Sequence, residues 1–181
     1  MNNKKKWVKL GVLLGVIVFV IALDLVTKYI IDAQLFNSGE TVSVIQGLFD
    51  FVAVHNYGAA WGILAGKQAF LIFLAVVFIA IFTWYYIKEK EKSWLLTIAF
   101  ALIVSGCFGN VFDRVFFTYV RDFIQFSFWK SFPVFNFADV ALCIGAVLFA
   151  IYLIIYFVKY VKEHKKDEKE EEYVEDNREQ E

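Results

Sequence analysis

Residues 136–159 read NFADVALCIGAVLFAIYLIIYFVK, and from Val140 to Val158 no side chain carries a charge. As a helix, a run of this length reaches about 28 Å, close to the ~30 Å hydrocarbon thickness of a bilayer. Two more charge-free runs of similar length precede it, Ala69 to Ile87 and Ser93 to Phe112. A fourth apolar run, Leu10 to Leu23, is shorter. It spans as well if Asp24 and Lys28 sit in its final turns, which carries the helix from Trp7 to about Ile31. Composition agrees: of 181 residues, 60 % are apolar, 19 % are aromatic and one is proline, with a mean hydropathy of +0.58. A soluble domain of this size has no interior large enough for that much apolar surface. The expected fold is an integral membrane protein, mainly α, with helices over about 7–31, 69–87, 93–112 and 138–158.

Lys4, Lys5 and Lys6 ahead of an apolar stretch also match the start of a cleaved signal peptide. No A-x-A site follows, and three further spans make a retained helix the simpler reading. Lysines set the orientation. Lys4, Lys5, Lys6 and Lys9 flank the first helix, Lys88, Lys90 and Lys92 fill the second loop, and Lys159, Lys162, Lys165 and Lys166 follow the fourth. By the positive-inside rule both termini are expected to be cytoplasmic. The connections Asp32–Gln68 and Asp113–Ala138 then face the outside and hold most of the uncommon polar residues. In the first, Thr41–Ile45 and Leu48–Val54 are β-branched and aromatic around Gly47, predicting a small antiparallel β element over about 41–54. Val120–Phe128 predicts a further strand. Residues 1–161 form the membrane domain; from Lys162 to 181 the mixture of Lys and Glu predicts a solvated, disordered tail.

The net charge of −1 comes from lysines and acids segregated along the chain and implies no nucleic-acid surface. Cys107 and Cys143 lie in apolar runs without CxxC spacing, so they read as packing residues. His55 and His164 are the only histidines, which excludes HExxH zinc chemistry and rests any histidine triad on His55 alone. No metal site and no cofactor are expected.

A carboxylate near hydrocarbon is costly, so Asp24, Asp50, Asp113, Asp122 and Asp139 are the functional candidates. Asp24 and Lys28 are spaced i, i+4 in the order that favours a helical ion pair, with Lys28 able to snorkel outward. Asp113, beside Arg114, reads as a structural charge pair tying the third helix to the next loop. Asp122 lies in an extended segment, VRDFIQF, close to the interface. Asn136 and Asp139 have the spacing of an N-cap and its reciprocal acid, a role that needs no enzymatic purpose. Residue types alone therefore leave capping and catalysis both open at Asp139.

Several blocks, in order, match a known family. DLVTK (24–28), NYGAAWGIL (56–64), GNVFDR (109–114), Asp122 in VRDF and NFAD (136–139) resemble the motifs of prokaryotic lipoprotein signal peptidases, the signal peptidase II family of membrane aspartyl proteases. The resemblance covers the chain apart from its charged tail. Trp61, Ser105, Thr118 and Arg121 depart from the commoner family residues, which bears on local packing and substrate preference. The resemblance implies catalytic roles for Asp122 and Asp139, with Asp24, Lys28, Asn56, Gly58, Asn110, Arg114 and Asn136 shaping or supporting the site. It also implies the substrate: a prolipoprotein already bearing diacylglycerol, cut before the lipidated cysteine, with membrane lipid alongside.

Two carboxylates sharing one proton suffice for amide hydrolysis without a metal, one activating water and the other donating to the carbonyl. The sequence assigns neither role to either acid. A transporter built around Asp24, Lys28 and Asp139 is the reading from another class, but the two halves show no repeat of the kind transporters carry. A serine/lysine peptidase using Ser127 with Lys130 or Ser131 is the enzymatic rival, weakened because a lysine in a polar loop stays protonated.

Overall fold

The computed structural model describes residues 3–90 and 92–178, with side chains over 4–90 and 92–165. Four long helices, α1 (Asn3–Leu35), α2 (Gln68–Lys88), α3 (Trp94–Phe117) and α4 (Phe137–Arg178), are joined by three strands, β1 (Val42–Ile45), β2 (Phe49–Asn56) and β3 (Val120–Phe126). Each helix is long and apolar enough to cross a bilayer. Mainly lipid-facing surfaces explain why Val18, Phe19, Phe73, Ile81, Ile154 and Phe157 are exposed although apolar.

α3 is the central helix. More than half of its most apolar stretch is enclosed, against a minority in the other three, and it packs on α4, α1 and α2. Its sequence explains the placement: Ala99, Ala101, Ser105, Gly106 and Gly109 are all buried, and small residues let helix backbones approach closely where lipid supplies no hydrophobic drive for association. Gly109 is the tightest point toward α1, since a Cβ there would lie 2.5 Å from Asp24 Oδ2 and 3.1 Å from the Ala138 Cβ. Ser105 fits the same face by turning its hydroxyl back onto the Ala101 carbonyl, 2.8 Å away, so this departure leaves no unpaired donor. Toward the other end of the bundle, Leu13, Phe82, Tyr86, Leu96, Phe100 and Tyr152 close a second packed layer.

The strands form one antiparallel sheet in the order β1-β2-β3. Its register breaks between Ser43 and Ile45 and again between Phe51 and Val54, bulges that bend the sheet. Past the second bulge Val54 pairs with Asp122, His55 with Arg121 and Asn56 with Val120. Ile31 and Leu35 of α1 pack with Phe123 and Ile124 of β3 beneath this end of the sheet.

Several boundaries differ from the sequence expectation. α1 continues to Leu35 and α3 to Phe117, so Asp113 and Arg114 stand on α3 and not in the following connection. β2 reaches Asn56, which places that residue on a strand end. Thr118 takes a left-handed conformation (φ 67°) and closes α3 through its N–H to the Arg114 carbonyl. α4 continues as helix to Arg178, where charge content predicted a disordered tail. At the start of this extension Lys159 and Glu163, one helical turn apart, lie 3.7 Å from each other, a pair that favours an exposed helix.

Candidate active site

Where the sheet meets α3 and the start of α4, the cost of burying charge is met by a connected polar cluster. Asp24, Lys28 and Asp113 are all fully buried. Lys28 does not snorkel: its Nζ lies 2.7 Å from Asp24 Oδ2 and 3.4 Å from Asp113 Oδ2. It also donates to Asn110 Oδ1 at 3.2 Å. Asp24 turns its other oxygen to α4, accepting the Ala138 N–H at 2.9 Å, so one carboxylate pairs within α1 and caps a second helix.

Asp113 does tie α3 to the next segment, but its partner is Arg121 and not the adjacent Arg114. Arg121 Nη2 and Nε reach the two Asp113 oxygens at 2.7 and 3.3 Å, and the Arg121 backbone N–H adds a third bond at 3.0 Å. The guanidinium lies over the Phe117 ring at 4.3 Å. A fork that matches a carboxylate and stacks on an aromatic ring is what arginine offers and lysine does not. This pairing fixes the start of β3, the strand that carries Asp122. Arg114 turns the other way, donating to the Gly58 carbonyl at 3.0 Å. The Gly58 N–H donates to Asn56 Oδ1 at 2.9 Å, and a Cβ at Gly58 would meet the Gly62 backbone at 2.8 Å, so only glycine fits this fold-back.

Five amide and carboxylate side chains complete the cluster. Asn56 Nδ2 donates to Asp122 Oδ2 at 2.9 Å, and Asn136 Nδ2 donates to Asp122 Oδ1 at 2.6 Å. Asn110 Nδ2 donates to Asp139 Oδ1 at 2.7 Å while its Oδ1 accepts from Asn136 at 3.1 Å. At the start of α4 the Asn136 N–H donates to Asp139 Oδ2 at 3.1 Å, and the Asp139 N–H donates to Asn136 Oδ1 at 2.9 Å. That is a reciprocal cap. The cap and the cluster are the same atoms: Asn136 binds both acids at once.

Asp122 and Asp139 line a cleft of about 430 Å³ together with Asn56, Asn110 and Arg114. The rest of the lining is apolar, from Ala59–Trp61, from Val120, Phe126 and Phe132–Phe135, and from Val140, Leu142, Cys143 and Ile144 on α4. Trp61 and Phe132 meet edge to face, 6.1 Å apart, between two of these walls. Burial, with the Asp139 charge nearby, pushes the Asp122 carboxyl up to about 7 against the opposing pull of Asn56, Asn136 and Lys28. Ser127, Lys130 and Ser131 do not line the cleft. Neither does Asp50, which stands in β2 opposite Gln125. Among the described side chains, no group of three His, Cys, Asp or Glu is arranged to hold a metal.

The structure thus joins every carboxylate candidate except Asp50 with the supporting residues that the resemblance implied, leaves out Ser127, Lys130 and Ser131, and adds Arg121. Arg121 stood out in sequence only as a departure from the usual pattern. Its spacing of eight residues from Asp113 across a helix end and a turn carries no periodic signal.

A family model described as "Signal peptidase (SPase) II" matches residues 16–155, which include every residue of this cluster. The chain belongs to the signal peptidase II family. It is accordingly an aspartic-type peptidase with four helices able to span a membrane. Among its relatives, the lipoprotein signal peptidase of Staphylococcus aureus strain MRSA252 is 36 % identical over 152 residues, 83 % of this chain and 91 % of that protein. The protein of the same description from strain JH9 matches to the same extent. Two solved chains titled as bacterial membrane enzyme structures by the in meso method share the fold at 35 % identity. One has a TM-score of 0.73 over 80 % of this chain and 88 % of its own; the other has 0.71 over 79 % and 92 %.

Proposed function

We propose that this signal peptidase II removes signal peptides from diacylglyceryl-modified prolipoproteins, cutting before the lipidated cysteine, and that Asp122 and Asp139 perform the hydrolysis. The observation that carries this reading is the pairing of those two carboxylates on one otherwise apolar cleft through Asn136. An apolar cleft with a small set of convergent polar groups suits a peptide segment already embedded in a bilayer.

The surroundings of the acids favour unequal roles. Asp122 is buried on a strand and pushed up to about 7, so it holds the shared proton. Asp139 sits in the first turn of α4 and receives N–H donors on both oxygens, so it carries the negative charge. Asp139 takes a proton from water as the oxygen attacks the scissile carbonyl carbon, and Asp122 gives its proton to the carbonyl oxygen. The tetrahedral diol then collapses. Asp139 passes its proton to the amide nitrogen, the C–N bond breaks, and Asp122 recovers a proton from the diol hydroxyl. The products are a free carboxyl and a new N-terminal amine, and both acids return to their starting state. Asn110 and Asn136 hold the two carboxylates in register throughout.

The lysine distribution supports cytoplasmic termini and an active face on the opposite side, level with the cleavage point of a bilayer-spanning signal peptide. The test is cleavage of a diacylglyceryl-modified prolipoprotein by the purified chain in detergent, followed by gel shift. Asp122→Asn and Asp139→Asn are each expected to lower kcat by about 10³-fold or more, with unchanged unfolding midpoints, while EDTA has no effect. Cleavage surviving either substitution would overturn the two-aspartate mechanism.

A further inference from the structure

The residue immediately before Asn56 is His55, and its ring is the meeting point of three chain segments. Its Nε2 lies 2.7 Å from Asp32 Oδ1, near the outer end of α1. One face stacks on Phe36, just past that helix, at 3.6 Å and 10°. The other face stacks on Tyr119, in the link between α3 and β3, at 3.9 Å and 16°. Tyr57 closes edge-on against Tyr119 at 5.5 Å. The His55 side chain is 12 % exposed. A ring held on both faces and at one nitrogen has little freedom left.

This clasp stands where the sheet runs out. Across the ladder His55 faces Arg121 and Asn56 faces Val120, and no pairing of β2 follows. Beyond Asn56 the chain folds back at Gly58. The Asn56 amide nevertheless has a demanding task, donating to Asp122 Oδ2 while its oxygen accepts from the Gly58 N–H. On the last rung Asn56 is held by the ladder from one side only, and side-chain position at a reacting centre is costly to lose.

We propose that His55 is a positioning residue: clasped by Asp32, Phe36 and Tyr119, it fixes the end of β2 so that Asn56 holds Asp122 in its working orientation. The inference rests on the two-aspartate reading of the cleft. It also gives a direction for the pH profile. The groups facing His55 are Asp32 from α1, Arg121 from β3 and the rings of Tyr119 and Tyr57; those facing Asp122 are Asp139, Lys28, Arg114 and the two amides. The Asn56 hydrogen bond opposes the upward pull on Asp122. Loosening it therefore lets the acid keep its proton to higher pH.

The experiment is kcat and KM of the full chain in detergent on a diacylglyceryl-modified prolipoprotein, across the pH range in which the enzyme stays folded. Variants are His55→Ala, His55→Arg, Asp32→Asn and the double variant His55→Ala with Asp32→Asn. His55→Ala is expected to lower kcat by about tenfold, with KM nearly unchanged and the alkaline limb displaced to higher pH. A planar guanidinium stacks between rings and pairs with a carboxylate, so His55→Arg is expected to restore both kcat and the limb. The double variant should be no worse than His55→Ala alone, because the two side chains act as one unit. An unmoved limb, a loss of kcat that His55→Arg does not recover, or additive losses would overturn the proposal. Asp122→Asn and Asp139→Asn run beside these variants separate the two levels. If either still cleaves, the reading of the cleft fails; if both are dead and His55→Ala behaves as wild type, only the role of His55 falls.

Discussion

At Asp122 a single side chain shows how environment assigns chemistry. It is 3 % exposed, and burial beside another carboxylate pushes it up to about 7. A group that must be protonated to donate loses its function as pH rises through that value. Cleavage by the wild-type chain is therefore expected to decline on the alkaline side with a limb near pH 7, read from kcat in detergent; a rate flat to pH 9 would contradict the assignment of Asp122 as acid. The candidate acids were visible in the sequence because charge in an apolar setting is costly enough to need a reason. Their partners were not. Lys28 meets Asn110 across 82 positions, and the adjacent pair Asp113–Arg114 suggests an ion pair that the fold does not make. Neighbours on a helix point about 100° apart, so Asp113 faces Lys28 and Arg121 while Arg114 faces Gly58.

Among the elements, α3 sets the geometry of all the others. Its small residues bring α4 and α1 close enough for Asn110 to touch both Lys28 and Asp139. Gly109→Ala puts a methyl against Asp24 and Ala138, and overpacking of this kind costs about 1–3 kcal/mol. The expected result is a lowered unfolding midpoint in detergent together with reduced cleavage, because the displaced residues bear on the Asn110 contacts; an unchanged midpoint would show that the interface yields more easily than these distances imply. The four helices were legible as charge-free runs, since a bilayer leaves backbone groups no partner outside the helix. Their ends were less so. α3 extends past Phe112 because Asp113, which looks like a stopping point in a hydropathy reading, is neutralised by Lys28 and Arg121. The strands were legible as β-branched and aromatic stretches, while their register depended on two bulges with no sequence mark of their own.

For the molecule as a whole, the sheet and the cleft lie at one end of the bundle, and the lysine-rich segments lie at the other. Lys9 meets the Lys92 carbonyl and lies over Trp94 at that far end. The orientation proposed for this layout is open to direct labelling. A membrane-impermeant maleimide added to spheroplasts is expected to label Lys130→Cys, and to label Lys162→Cys only after permeabilisation. The labelling runs in a Cys143→Ser background, since Cys143 is exposed in the cleft while Cys107 is buried. The reverse pattern would invert the topology and place the cleft in the cytoplasm.

The sequence by itself determined that the chain crosses a membrane four times, that a small β element lies between helices, and which acids merit attention. Each of these follows from local composition: hydrocarbon admits only apolar helices of sufficient length, and it penalises every unexplained charge. The tertiary structure alone decided that Asn136 joins Asp122 to Asp139, that Arg121 and not Arg114 grips Asp113, and that His55 ends in an aromatic clasp. Those outcomes depend on hydrogen bonds and stacking between segments far apart in the chain. Such contacts select among geometries a few ångströms apart, and no pattern of neighbouring residues encodes that choice.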